Sequence, residues 1–185
     1  MKHSRPASVG RSRRTVAALV AAVALAAVAG CGSSRDYTVP DSLCGVPVHS
    51  ADLAPLLPDG GTLKQDRYPS EPGAPRCTVL VDDSQVMRFS GDFAEPETDP
   101  FKVNEAGLLD QGHPEQVEHV GKRATLTDHG ALAVTDCTHQ GKRKQYVVEL
   151  DLATDTPGKT ADRRSAALTL FRSYFAHAAQ KQGCW

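Results

Sequence analysis

Aromatic side chains are scarce in this 185-residue chain, at 5% of residues. Several of the few present fall in one C-terminal segment, which leaves little for the aromatic platforms of a sugar site. Positive charge is also scarce once the first thirty residues are set aside. Residues 1–30 hold five basic side chains (Lys2, Arg5, Arg11, Arg13, Arg14) and no acidic one. The remainder keeps 16 of the 21 Lys and Arg against all 22 Asp and Glu, a formal charge of −6. Such a domain is a poor counterion-displacing surface, so no nucleic acid partner is expected. It gains little from anionic lipid headgroups either, so membrane contact must come from a lipid group.

Catalytic signatures are missing too. Neither Gly-x-Ser-x-Gly nor Ser-x-x-Lys occurs, so the common serine nucleophile settings are absent. Gly158-Lys159-Thr160 sits where a phosphate loop would place its last three residues, but the glycine required at position 153 is Ala. Pro157 also removes a backbone donor, and the stretch reads as a loop leading into a helix. Asp151 to Asp155 lacks the alternating oxygen ligands and glycine of a calcium loop. Asp82-Asp83 and Asp92 with Glu95 and Glu97 could flank a glycosidic bond, but turn-forming neighbours mark them as solvated charge. His113, His119, His129 and His139 read as exposed loop or strand-end residues. No catalytic residue, metal or cofactor is expected.

What is present begins with an address. Residues 1–30 have a basic start, the apolar stretch Val16–Ala29 and small residues at the end, the three parts of a secretory signal. As a helix, fourteen residues would reach roughly 21 Å, short of the ~30 Å hydrocarbon core, which fits a transient signal. Val28-Ala29-Gly30-Cys31 resembles the lipobox of bacterial lipoproteins, in which the cysteine is lipidated and becomes the new N-terminus. A diacylated Cys31 carries two chains, enough for stable attachment. Ser12-Arg13-Arg14-Thr15-Val16 also fits a twin-arginine signal, and the export route stays open between that and general secretion. The expected organisation is a signal peptide over 1–30, a lipid-anchored tether over 31–42 and one extracytoplasmic domain over 43–185.

Four cysteines remain: Cys44, Cys77, Cys137 and Cys184. An even number in an exported domain implies two disulfides, with three possible connectivities. Cys44–Cys77 and Cys137–Cys184 are favoured, since each pair links elements adjacent in sequence and Cys184 follows the last helix. The competing metal reading rests on Cys137 and His139 and lacks a second close pair.

Ser50 is expected to cap a short helix through Leu57, ended by Pro58-Asp59-Gly60-Gly61. Strands are predicted over 76–81, 85–93, 122–127, 131–137 and 144–152, with turns at Asp82-Asp83-Ser84, Asp128-His129-Gly130 and 139–142. In the last strand Tyr146, Val148, Leu150 and Leu152 alternate with Val147, Glu149 and Asp151, the pattern of a sheet covered on one side. Prolines and glycines between 94 and 121 break every periodicity. Thr160 is expected to cap a helix through about Gln182, stopped by Gly183. Ala167, Phe171, Tyr174, Phe175 and Ala178 form its apolar stripe, and Arg163, Arg164 and Lys181 are expected to face water. The fold class is α+β: a twisted antiparallel sheet covered on one face by a C-terminal helix, with two disulfides.

Leu43-Cys44-Gly45-Val46-Pro47, Arg76-Cys77-Thr78-Val79, Asp136-Cys137 and the Ala-rich final helix, together with the lipobox, resemble small actinobacterial cell-envelope lipoproteins of unassigned function. The resemblance implies a secreted α+β domain with paired cysteines and carries no catalytic residues. The expected function is a non-catalytic binding or interaction module of the cell envelope, held at the extracytoplasmic face by lipid and meeting an envelope protein or ligand. An envelope hydrolase and a small-ligand uptake accessory protein are the alternatives.

Overall fold

The computed structural model describes residues 35–69 and 75–184. The signal segment, Cys31 and the first part of the tether lie outside the described residues.

The chain begins with a small hairpin, β1 (Ser42–Leu43) and β2 (Val46–Pro47), turned by Cys44 and Gly45 at φ 48° and 82°. A one-turn helix α1 (Ser50–Leu53) runs into a 3-10 turn over Ala54–Leu56. Seven strands follow: β3 (Leu63–Pro69), β4 (Pro75–Val81), β5 (Ser84–Ala94), β6 (Glu115–Val117), β7 (Arg123–Leu126), β8 (Gly130–His139) and β9 (Lys142–Leu152). Two short helices, α2 (Pro100–Val103) and α3 (Glu105–Asp110), separate β5 from β6, and α4 (Thr160–Lys181) closes the domain. The strands form one antiparallel sheet in the order β3-β4-β5-β9-β8-β7-β6.

Turn chemistry sets the registers. Asp82 and Asp83 take positive φ of 48° and 63°, a two-residue turn that pairs Val81 with Ser84. Gln140 and Gly141 do the same at 51° and 73°, pairing His139 with Lys142. From these pivots the pleat sends Cys77, Phe89, Leu150 and Ala131 to one face, where each opposes the next across the sheet.

Helix α4 covers that face. Ala167, Leu170, Phe171, Tyr174, Phe175 and Ala178 are all buried, and Tyr174 stacks on Phe89 with ring centroids 3.8 Å apart. Both disulfides lock the periphery to this core: Cys44–Cys77 ties the β1–β2 hairpin to β4, and Cys137–Cys184 ties the end of α4 to β8. The α+β sheet-and-helix architecture and both cysteine pairings agree with the sequence reading.

Several details differ. Thr160 is the first helical residue and Lys159 the N-cap, which makes no side-chain cap bond. Ser50 does not cap its helix either; His49 holds that place, and Ser50 Oγ donates to Pro40 O at 3.1 Å. Strand β3 lacks a sequence signal because Leu63-Lys-Gln-Asp-Arg-Tyr-Pro is a polar edge strand with no fully buried residue before Pro69. The second sheet face is not bare: Leu132, Val134 and Val147 pack under Leu108 and Phe101 of α3 and α2. Part of the segment expected as a tether packs on the domain. Asp36 N donates to Gly60 O at 2.9 Å, Arg35 bonds Leu57 O, and Tyr37 bonds Pro58 O, so residues 35–39 pack against the domain.

Arg163 is the largest departure. It is 3% exposed, with Nε donating to Asp128 O at 2.9 Å and Nη1 to Pro157 O at 3.1 Å. Arg164 is half-buried and donates to Asp128 Oδ1 at 3.0 Å and Glu115 Oε2 at 2.7 Å. Both were expected on the wet face. Helix periodicity reports which residues turn inward, but loops 111–115 and 127–130 rise over this end and give the guanidinium groups acceptors instead of water. Lys181 stays exposed while donating to Gly45 O at 2.9 Å.

Candidate functional site

On the sheet face opposite α4 the pleat turns a set of polar side chains outward. Registers place Arg76, Ser90, Glu149 and Leu132 in one row across β4, β5, β9 and β8. Arg88 and Asp151 form the next row, and Asp92 with Val147 the row on the other side. The helices α2 and α3 stand over Leu132, Val134 and Val147 and wall off one side. Between wall and floor is a groove of about 300 Å³ lined by Arg76, Arg88, Ser90, Asp92, Asn104 and Glu149, with Val147 and Leu132 beneath. That volume lies at the small end of ligand sites.

The wall is held in place. Asp99 accepts from Phe101 N at 3.0 Å at the start of α2 and bonds the Arg123 guanidinium, which lies 4.0 Å over the Phe101 ring. The Arg123 bond foremost holds the Asp99 carboxyl below its ordinary range. Asn104 Nδ2 donates to Pro100 O at 2.8 Å, joining α2 to α3 at the mouth of the groove.

Charge in the groove is unevenly satisfied. Arg88 pairs with Asp151 at 3.4 Å, and Asp92 accepts from Phe93 N at 2.7 Å. The exposed Arg76 and the half-buried Glu149 make no side-chain hydrogen bond or ion pair among the described residues. Burial pushes the Glu149 carboxyl above its ordinary range, with Arg88 pulling it partly back and Asp151 adding to the rise. A half-buried carboxylate without a partner is unfavourable for folding and is common at sites built for a ligand.

Two other places were candidates. At the N-terminal end of α4, His113 Nδ1 lies 2.6 Å from Asp128 Oδ2 and His129 Nε2 lies 2.8 Å from Asp155 Oδ1. These contacts resemble the orienting half of a catalytic triad, but neither histidine bonds a hydroxyl or thiol among the described residues. The His113 bond foremost, and Arg164 beside it, hold the Asp128 carboxyl below its ordinary range. Arg163 and Arg164 occupy the same acceptors, so the cluster is a clasp on the helix. The second place is a shallower trough of about 520 Å³ between α4 and residues 119–121, floored by Val120, Phe175, Ala176 and Ala179. Gly121 is obligatory there: it has φ 56°, and a Cβ would come within 2.6 Å of the Phe175 ring and of Val134 O.

The residues weighed from sequence fall elsewhere. Cys31 lies outside the described residues. Cys44, Cys77, Cys137 and Cys184 are all in disulfides, so Cys137 with His139 is no metal pair; His139 stacks on Phe93 at 3.9 Å instead. Among the described residues no group of three or more His, Cys, Asp and Glu could hold a metal ion. Asp82 accepts from the backbone of Gly61 and Thr62, Asp83 pairs with Lys64 at 2.6 Å, and Glu95 pairs with Lys144. These carboxylates shape turns and edges and do not face one another across a cleft. Arg88 and Glu149 lay in no motif and Arg76 entered only beside Cys77; their outward parity on three strands alone could have grouped them, and that requires the strand order.

No protein-family model matches the chain, and no curated protein or solved structure matches it either.

Proposed function

We propose that this chain is an extracytoplasmic lipoprotein, anchored by lipid on Cys31, that works as a binding module with its ligand in the outer-face groove. Its address is read from the basic start, the apolar stretch and the Val28-Ala29-Gly30-Cys31 lipobox. Two disulfides support the same compartment, because such bonds persist where the surroundings are oxidising. Membership among the small actinobacterial cell-envelope lipoproteins rests on the short motifs around Cys44, Cys77 and Cys137.

The observation that carries the binding role is the unpaired Glu149 and Arg76 in one walled groove. Glu149 is half-buried and bonds no donor, and the Arg88 charge offsets its burial only in part, a state that folding alone does not favour. A rigid sheet braced by disulfides gives the preorganisation that a binding site needs. The groove's size favours a small envelope ligand over a protein partner.

Hydrogen exchange of the protein extracted from its membrane, with and without the small-molecule fraction of the envelope, tests this. Slowed exchange in peptides covering 88–92 and 147–149 is the expected result. Exchange unchanged there, with protection appearing only along the α4 trough, would overturn the assignment of the site.

A further inference from the structure

We infer, building on the outer-face groove as the binding site, that its ligand is a short free-ended peptide of dipeptide size, with its ammonium on Glu149 and its carboxylate on Arg76. Three charged groups of the groove lack an ion-pair partner among the described residues: Arg76 on one side, Glu149 and Asp92 on the other. Arg88 and Asp151 already neutralise each other at 3.4 Å, which leaves Arg76 and Glu149 in one row with only Ser90 between them.

A simple cation would satisfy Glu149 but would meet Arg76 and Arg88 on the same floor. A simple anion would satisfy Arg76 but would meet Glu149 and Asp92. A molecule carrying both signs meets a partner for each, its cationic end facing the half-buried Glu149 and its anionic end the exposed Arg76. Two strand spacings separate the Cα atoms of Arg76 and Glu149 by about 9–10 Å. Two residues of extended chain span about 7 Å, and the side chains close the remainder. Ser90, at the midpoint of the row, supplies a hydroxyl opposite the central amide. About 300 Å³ accommodates small side chains on such a ligand and little more.

Calorimetric titration of the membrane-extracted full chain with L-alanyl-L-alanine tests the inference. The controls are the N-acetylated and the C-amidated dipeptide. Each blocked form is expected to bind about tenfold or more weakly, the effect of losing one charge-assisted contact. Glu149→Gln is expected to weaken the free dipeptide by a similar factor while leaving the N-acetylated form unchanged, and Arg76→Gln to do the same for the amidated form. Melting curves of both variants establish that they are folded. Equal binding of free and blocked dipeptides overturns the inference, and so does a full-strength interaction in both variants. If the dipeptide gives no heat while the envelope fraction still protects 88–92 and 147–149 from exchange, the peptide inference falls and the binding-module reading stands. If neither has any effect on the groove, both fall.

Discussion

Arg163 Nε donates to the carbonyl oxygen of Asp128 at 2.9 Å, a bond that joins the first turn of the long helix to the loop between β7 and β8. The same guanidinium reaches Pro157 O at 3.1 Å and Asp155 Oδ1 at 3.2 Å. The loop at residue 128 and the segment 155–157 therefore converge on one buried cation. Arg163→Ala strips the donors from two carbonyls and leaves a void beneath the helix. A loss of about 2–3 kcal/mol in a urea melt is expected, the range for hydrogen bonds made by charged groups. A melt within about 0.5 kcal/mol of the parent would mean water replaces the guanidinium there at no penalty.

Phe171→Ala probes the other half of the same helix. The ring is fully buried between α4 and the sheet, 6.2 Å from the Phe175 ring. Its removal is expected to destabilise by about 3–5 kcal/mol, because a cavity adds to the lost transfer energy. The two disulfides close loops of 33 and 47 residues and should keep the variant compact; each is worth about 4 kcal/mol on a loop-entropy estimate. Equal urea midpoints for variant and parent would show that the helix is not the lid of the core.

The Glu149 carboxyl offers a test without any ligand. Burial raises its affinity for protons in the folded chain above that in the unfolded chain. Across the window between those two values the folded state binds more protons, so stability falls as pH rises through it. Glu149→Gln removes that loss. The variant is expected to melt higher than the parent at about pH 7, with the difference closing at about pH 3.5, where the parent is also neutral. A variant that melts lower at neutral pH would show that the carboxylate has a stabilising partner.

Much of this architecture was legible in the residues. Alternation at Tyr146–Leu152 marked the central strand, and the Asp82-Asp83 and Gln140-Gly141 turns follow from residues that tolerate positive φ. Cysteine parity called for two bridges, adjacency in sequence favoured the pairing found, and the stripe on α4 marked the covered face. The edge strand β3 was silent because an edge need not bury anything, and α2 and α3 are too short to show a period. Arg163 was misread because the acceptors that bury it come from residues 128 and 157, whose approach depends on tertiary contacts. The groove was invisible for the same reason. Arg76 and Glu149 are 73 positions apart, and only the pairing of β4 to β5 and of β5 to β9 sets them in one row.

Native mass spectrometry of the protein drawn from its own membrane in mild detergent reads the anchor and the groove together. The expected mass begins at Cys31, carries a diacylglycerol group, and shows a small bound ligand that disappears in Glu149→Gln. A chain that retains residues 1–30 or bears no lipid would contradict the anchor. A ligand held equally by the parent, Glu149→Gln and Arg76→Gln would contradict the groove as the site of binding.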